Sequence, residues 1–415
     1  MISIAIMGHG VVGSGVSEII TTHKNKLFTA LGEEIDIKYI LDLRDFPDHP
    51  LASRFIKDFE TIVNDVDIRV VAEVMGGLHP SYEYVKRCLE AGKSVVTSNK
   101  ELVAAHGAEL LAIAKENNAN FLFEASVGGG IPIIRPMDQC LVANNVDEVA
   151  GILNGTTNYI LTKMINDGMQ FEDALKLAQE LGYAERNPAA DIEGHDACRK
   201  ICILASLAFG KHVYPQYVHT EGITAITLED VKYAEKWGGV IKLIGQVKLL
   251  ENKKLDIFVA PMFVPNKSQL SDIDDVFNGI MVRGDCTGDV VFYGRGAGKL
   301  PTASAVVADI VDCCKHLKAR KRIFWTDGGE DLVIPYDESV TAMYLRLKSK
   351  DEHCAYDIAK EVFDGNVEPL VLEEAQESEI AVITNPMPYG MIKNKISELE
   401  AKDVCVLSAL RIGDL

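Results

Sequence analysis

The tightest constraint on this chain lies at its amino end. A short β-type run, Ile2-Ser3-Ile4-Ala5-Ile6-Met7, passes directly into Gly8-His9-Gly10-Val11-Val12-Gly13 and then into a helical pattern carried by Val16, Ile19 and Ile20. The first glycine makes the tight turn, the second lets the backbone approach a pyrophosphate, and the third lets helix pack on strand with its amino end facing the anion. Gly-x-Gly-x-x-Gly alone is a weak signal. Placed at residue 8, straight after a β-run, it predicts a Rossmann-type doubly wound parallel sheet, with Gly8, Gly10, Val11, Val12 and Gly13 around a dinucleotide.

The β/α alternation continues. The second strand, Ile35 to Leu41, leads into Asp42-Leu43-Arg44-Asp45. An acid at this point hydrogen-bonds the ribose 2′-hydroxyl of NAD, whereas an arginine receives the 2′-phosphate of NADP. Both are present; the reading favours NADP through Arg44 and leaves NAD open. A strand over Arg69 to Val74, a helix over Pro80 to Ala91 and a strand over Ser94 to Thr97 follow, the last ending in Ser98-Asn99-Lys100. Ligands of open α/β sheets sit at the carboxyl ends of the strands, so Thr97 and Lys100 belong to the same crevice as the glycine turn. Asn120 to Phe123 closes the sheet and gives way to Glu124-Ala125-Ser126-Val127-Gly128-Gly129-Gly130-Ile131-Pro132. Consecutive glycines before a proline demand a specific backbone path. Exposed carbonyls in such a turn can coordinate a monovalent cation, and a metal-free crossover loop is the equal alternative.

Charge and cysteine usage narrow the class. A net charge of −19 argues against nucleic-acid binding, which needs clustered Lys and Arg. No apolar run is long enough to cross a bilayer and the amino terminus goes directly into a strand, so the expected location is cytoplasmic. The nine cysteines form no Cys-x-x-Cys pair and read as reduced thiols. His195, Cys198 and Cys202 share a helical face but lack a fourth zinc ligand, which favours small core cysteines.

A second region begins near Val149. Gly151-Ile152-Leu153-Asn154-Gly155-Thr156-Thr157-Asn158-Tyr159 reads as strand, loop and helix, with Thr156 or Thr157 as cap. Helical segments run to Leu181, and the stretch Leu181 to Lys200 then concentrates Tyr183, Glu185, Asp191, Asp196 and Lys200. Asn187-Pro188 keeps its first half non-helical, and Asp196 and Lys200 fall one turn apart on a helix that begins after Gly194. An isolated Asp-x-x-x-Lys is normally a surface pair worth ~0.3–0.5 kcal/mol. Here an apolar helix follows, and Glu185 and Asp191 fold back over the pair, a cup suited to an ammonium-bearing molecule that must also gain or lose a proton. Two apolar β-runs, Val240 to Leu250 and Leu255 to Phe263, predict a sheet whose outer face is covered by subunit pairing. Gly294-Arg295-Gly296-Ala297-Gly298-Lys299 opens a helix that runs to about His316 and returns to the first domain. From Ser339 a βαββαβ pattern predicts a ferredoxin-like unit. The division expected is 1–148 for the dinucleotide (with 295–318 packing back), 149–338 as an α+β substrate and oligomerisation domain, and 339–415 as a small regulatory domain.

Together these segments resemble homoserine dehydrogenase over essentially the whole chain. The resemblance is carried by Gly8-x-Gly10-x-x-Gly13, Thr97-Ser98-Asn99-Lys100, Glu124 to Pro132, Gly151 to Tyr159 and Pro301-Thr302-Ala303-Ser304-Ala305. Its most specific part is Gly182-Tyr183-Ala184-Glu185 with Asn187-Pro188 and Asp191-Ile192-x-Gly194-x-Asp196-x-x-x-Lys200. It implies NAD(P)-dependent interconversion of L-homoserine and L-aspartate 4-semialdehyde, on the route to threonine and methionine, by a homodimer or homotetramer. It further implies Glu185, Asp191, Asp196, Tyr183 and Thr157 around the substrate, Lys200 and Lys100 at the reacting oxygen, and Gly298 beside the cofactor. A sodium ion would sit on main-chain carbonyls of Glu124, Val127, Gly129 and Ile131. The carboxy-terminal unit resembles the ACT module, but Asp351-Glu352-His353-Cys354 stands where that module usually has Asp-x-Pro-Gly, so weak or no threonine feedback is expected. Chemistry favours the lysines independently: reducing an aldehyde with hydride requires a proton for the developing alkoxide, which an ammonium supplies. The reading takes Lys200 as proton donor and acceptor and Lys100 as the group that polarises the oxygen, with Asp196 between them.

Overall fold

The computed structural model describes residues 1–349, 352–373 and 378–415. Its amino-terminal sheet has six parallel strands in the spatial order Phe55–Ile56, Ile35–Leu41, Ile2–Met7, Ile68–Glu73, Ser94–Thr97 and Phe121–Leu122. The chain therefore switches direction between Ile2–Met7 and Ile68–Glu73, and a crevice opens beyond their carboxyl ends. The strand residues Ile4, Ile6, Val70, Val71, Val95 and Val96 are all solvent-inaccessible, as expected of a parallel sheet covered on both faces.

The helix Lys299–Lys315 covers part of this sheet although it is distant in sequence. It packs on the helix Val11–Thr22, where a Cβ on Gly15 would lie 2.8 Å from that of Ala303, and Lys299 pairs with Glu18.

The second sheet has eleven strands, and its long path runs Gly288–Arg295, Phe277–Gly284, Val146–Ile152, Gly239–Leu249, Leu255–Pro265, Cys405–Ile412, Val340–Lys348, Glu379–Thr384 and Val367–Leu370. The hairpin Phe277–Gly284 with Gly288–Arg295 was not foreseen; two short runs, Ile280-Met281-Val282 and Val290-Val291-Phe292-Tyr293, on either side of the turn residues Asp285 to Gly288 were the signal that was there to be read. The carboxy-terminal segment does form a βαββαβ unit, with helices Glu352–Val362 and Tyr389–Ala401. It does not stand apart, because Met262 and Phe263 pair in parallel with Arg411 and Ile412 and make one continuous sheet.

Period-two alternation divides the central strands between two cores. Val149, Ile241, Leu243, Val247, Val259 and Ile280 face the main core, where the helix His195–Phe209 lies. Gly245 admits that helix, since a Cβ there would meet Ile201 at 3.2 Å. Ala150, Ile152, Ile244, Met262, Val264 and Met281 face the other way and are packed by Leu270, Ile273 and Leu415 of the same chain. Part of the face expected to need a partner subunit is thus covered from within. Among the described residues, no helix is long and apolar enough to cross a membrane.

Candidate active site

Three elements converge on one carboxylate. Two residues beyond the strand Ser94–Thr97, Asn99 caps the helix Lys100–Glu116 by accepting the Leu102 N–H and thereby sets Lys100 at its first position. The helix His195–Phe209 starts after Gly194, whose φ of 85° lies in the left-handed region that glycine tolerates. A Cβ at Gly194 would also meet the Glu221 carbonyl and the Thr220 side chain at 3.0 Å, so the turn admits no larger residue without displacement. Asp196 and Lys200 follow on one face of that helix. The Asp196 carboxylate binds the Lys100 ammonium through Oδ1 at 2.8 Å and the Lys200 ammonium through Oδ2 at 2.6 Å. Lys200 also donates to the Leu153 carbonyl at 2.7 Å.

Asn154 joins the second carboxylate to the first. Its amide donates to Asp191 at 2.7 Å and to Asp196 at 2.8 Å, while its side-chain oxygen accepts the Thr157 N–H at 2.8 Å. The cap of the helix Gly155–Asp167 is therefore Asn154, not Thr156 or Thr157 as expected: the strand ends at Ile152, and Asn154 in extended conformation reaches the third amide of the helix.

The electrostatics follow from burial and pairing. Burial alone would raise the Asp196 carboxyl, but Lys200 and Lys100 hold it below the ordinary carboxylate range. Burial lowers Lys200, and Lys100 adds to the lowering against Asp196. Asp196 raises Lys100, against burial. Burial and the neighbouring Asp196 charge raise Asp191.

These groups line a cavity of about 320 Å³ shared by Lys100, Asn154, Gly155, Thr156, Tyr183, Asp191, Asp196, Lys200, Arg295 and Gly298, among others. That is at the small end of ligand pockets and fits a compact polar molecule. Of the expected substrate residues, Asp191, Asp196 and Tyr183 line it. Two do not. Glu185 is exposed outside the lining, although Gly182 and Tyr183 just before it and Asp191 after it line the cavity. Thr157 is buried, with its hydroxyl on the carbonyl and side-chain oxygen of Asn154, and Thr156 takes the place facing the cavity.

A second cavity of about 410 Å³ runs along the glycine turn past Gly8, His9, Gly10, Asp42, Arg44 and Lys57. The residues present fit a dinucleotide. A Cβ at Gly13 would lie 2.0 Å from the Gly8 carbonyl, whereas one at Gly10 would meet nothing within 4 Å and would project into open space. The helix Val11–Thr22 has no side-chain cap and no acid in its first turn, so the amides of Val11, Val12 and Gly13 are left for an anion. At the ribose end, Asp42 accepts the His9 N–H at 2.8 Å and takes the Arg44 guanidinium on both oxygens at 3.0 and 2.9 Å. Arg44 remains largely exposed.

Thr97 lies behind this cleft, donating at 2.6 Å to Glu73, a fully buried carboxylate that also accepts the Met75 N–H at 2.8 Å. Burial raises the Glu73 carboxyl. Sequence reading passed over Glu73, Asn154 and Arg295; an acid closing an apolar strand was the available sign of the first.

The glycine loop keeps a buried, defined path. Gly128 and Gly129 have φ of 72° and 53°, and a Cβ on Gly129 would lie 2.4 Å from the Gly296 carbonyl. The Glu124 carboxylate accepts the N–H groups of Ile133, Ile134 and Arg135, so it is committed to shaping the loop. Among the described residues, no turn or loop hydrogen bond and no side-chain donor reaches the main-chain carbonyls of Val127, Gly129 or Ile131, while Glu124 opens the 3-10 turn Glu124–Ser126, and no cluster of three His, Cys, Asp or Glu able to hold a metal is found among the described residues. Cys198 and Cys202 are buried core residues.

Comparison with known proteins agrees with this architecture. Family models described as homoserine dehydrogenase, NAD binding domain, and homoserine dehydrogenase match residues 8–124 and 132–311. Homoserine dehydrogenase of Neisseria gonorrhoeae is 37% identical over 98% of this chain and 96% of its own. The crystal structure of a homoserine dehydrogenase from Thiobacillus denitrificans superposes with a TM-score of 0.90 at 34% identity, covering 100% of this chain and 98% of that one. A hyperthermophilic archaeal homoserine dehydrogenase mutant, solved in complex with NADPH, matches with a TM-score of 0.65 at 29% identity over 75% of this chain and 97% of its own.

Proposed function

This chain belongs to the homoserine dehydrogenase family, and from that premise we propose how its own residues divide the work. The reaction is the reversible NAD(P)-dependent reduction of L-aspartate 4-semialdehyde to L-homoserine, a step of amino-acid biosynthesis. The bound nicotinamide supplies or accepts the hydride. Lys200 gives the proton that the carbonyl oxygen gains in reduction and takes it back in oxidation. Lys100 stays charged and stabilises the negative charge developing on that oxygen. Asp196 keeps both ammoniums aimed at one point, and Asp191, oriented by Asn154, receives the substrate's ammonium. Tyr183 and Thr156 close the cavity on the other side.

The observation that carries this reading is the sharing of one buried carboxylate between two lysines of opposite environment. Burial lowers Lys200, which makes its neutral form accessible for the oxidation, while Asp196 favours the charged form of Lys100. The test is steady-state turnover of L-aspartate 4-semialdehyde with NADPH and with NADH by wild type and Lys200→Ala. Undiminished turnover in the variant removes Lys200 from the mechanism.

Finer assignments rest on the same geometry. Arg44, exposed at the ribose end with Lys57 lining the same cavity, supports NADP as the preferred cofactor, with NAD also used. The main-chain carbonyls of Glu124, Val127, Gly129 and Ile131 suit a sodium ion, which would brace the loop against Gly296. Residues 1–148 with 295–318 serve the nucleotide, 149–338 the substrate and subunit pairing in a homodimer or homotetramer, and 339–415 regulation of the ACT type. Asp351 of the loop compared with the ACT ligand loop lies outside the described residues. From the sequence of that loop, threonine at low millimolar concentration leaves activity nearly unchanged.

A further inference from the structure

One buried polar cluster lines neither cavity yet is bonded to the walls of both. Glu73 ends the strand Ile68–Glu73 and pairs with Thr97 at the end of Ser94–Thr97. Both side chains are buried, as is Asn99, and none of the three belongs to the lining of the nucleotide cavity or of the lysine cleft. One carboxylate oxygen of Glu73 accepts the Met75 N–H at 2.8 Å and the Gly76 N–H at 3.3 Å, with the Ser81 hydroxyl also at 3.3 Å. The other accepts the Thr97 hydroxyl at 2.6 Å. The Thr97 oxygen in turn accepts the Asn99 N–H at 2.9 Å, and the Asn99 side-chain amide donates to the Gly77 carbonyl at 2.6 Å. These hydrogen bonds close a circuit that leaves the turn Met75 to Gly77 through Glu73 and returns to it through Thr97 and Asn99.

We propose that Glu73 is a positioning residue that fixes Lys100 relative to the bound nucleotide, acting through Thr97 and Asn99. The inference deepens the homoserine reading of the cleft and rests on it. Three observations support it. On one side of the circuit, Met75 lines the nucleotide cavity and packs on the glycine turn so closely that a Cβ at Gly8 would lie 3.0 Å from its Cγ. On the other side, Asn99 caps the helix Lys100–Glu116 and so places Lys100, whose ammonium reaches Asp196 at 2.8 Å. Lastly, both oxygens of Glu73 face donors, a demand that a carboxylate meets and an amide, with its NH2 end, does not. A neutral residue would end the strand without the cost of burying a carboxylate. What the acid supplies is an acceptor at each tip of its fork, one for the nucleotide wall and one for the helix of Lys100.

The test combines homoserine oxidation across pH with fluorescence titration of NADPH binding, for wild type, Thr97→Val, Thr97→Ser and Glu73→Gln. Thr97→Val nearly keeps the volume, but it takes the donor from one Glu73 oxygen and the acceptor from the Asn99 N–H. Expected is a kcat lowered ~10-fold, the range of a buried group left unpaired, with the dissociation constant for NADPH within about twofold of wild type. The rising limb of the pH profile belongs to Lys200, which feels Asp196, Lys100 and Asp191. A Lys100 ammonium no longer held in place lowers Lys200 less, so the limb moves to higher pH, in the direction expected of Lys100→Met but by less. Thr97→Ser restores the hydroxyl and recovers both kcat and the limb. Glu73→Gln disturbs both ends of the circuit, so NADPH binding weakens ~5–10-fold as kcat falls. Wild-type kcat in Thr97→Val, or a lowered kcat with the limb unmoved, overturns the assignment and leaves the cleft reading intact, since a merely stabilising contact shifts Tm and not the limb. The Thr97 variants decide alone where Glu73→Gln does not fold. Wild type that does not oxidise homoserine overturns both.

Discussion

Lys100 and Lys200 approach one carboxylate from opposite walls of the cleft, and their surroundings push them in opposite directions. Lys100 begins a helix of the nucleotide-binding layer with its side chain 41% exposed, and Asp196 favours its charged form. Lys200 lies inside the substrate layer with its side chain 10% exposed, and burial favours its neutral form. The same ion-pair partner thus lies between one lysine whose charged form its surroundings favour and one whose neutral form burial favours.

A pH profile reads this directly. In homoserine oxidation Lys200 must be neutral, so the rate rises with pH and levels off below the ordinary lysine value of about 10.4. Lys100 is a like charge that lowers Lys200, so removing it in Lys100→Met raises the Lys200 pKa and moves the rising limb to higher pH. A limb that stays put, or moves to lower pH, contradicts the coupling.

Lys200→Ala lowers kcat by ~10²–10⁴, the usual contribution of a positioned acid–base group. Because Lys200 does not line the nucleotide cavity, the dissociation constant for NADPH, read by fluorescence titration, stays within about twofold of wild type.

Asn154→Leu keeps side-chain volume and removes the amide shared by Asp191 and Asp196. The two acids then lose their common donor, and kcat/KM for homoserine falls ~10–100-fold. The cap of the helix Gly155–Asp167 goes with it, at a cost of ~1 kcal/mol in a denaturant titration.

Arg44→Ala separates the cofactors. KM for NADPH rises at least ~10-fold while KM for NADH changes little, since only the phosphorylated ribose loses a charged partner. Parallel changes in both show that Arg44 serves Asp42 and the turn, not the 2′-phosphate.

The glycine turn offers a paired test. Gly13→Ala drives a Cβ into the Gly8 carbonyl at 2.0 Å, so the turn itself shifts, and both Tm and nucleotide binding fall. Gly10→Ala meets nothing within 4 Å, so Tm holds while the added methyl occupies nucleotide space and binding alone weakens. Equal behaviour of the two variants contradicts these distinct roles.

Much of the molecule was readable from local pattern. Strand–Gly-x-Gly-x-x-Gly–helix fixes a crossover that only a parallel sheet accommodates, and Asp196 with Lys200 is a one-turn spacing that a helix turns into a contact. Glu185 shows the limit: an acid in a motif-rich stretch reads as a ligand, yet its side chain is exposed outside the cavity that Gly182 and Tyr183 line. The hairpin that bears Arg295 and the bridge made by Asn154 were missed because each acts through partners remote in the chain.

By itself the sequence determined the nucleotide fold and the family and singled out the two lysines proposed to act on the reacting oxygen, because those readings depend on backbone geometry and motifs of a few residues. Only the tertiary structure decided which acids share the cleft, that Lys100 and Lys200 meet on Asp196, that Asn154 bridges Asp191 and Asp196, and that the last strand of the chain joins the substrate sheet beside Met262 and Phe263. Those are contacts between distant segments, and the burial that lowers Lys200 and the two lysines that lower Asp196 come together only once the layers have closed around them.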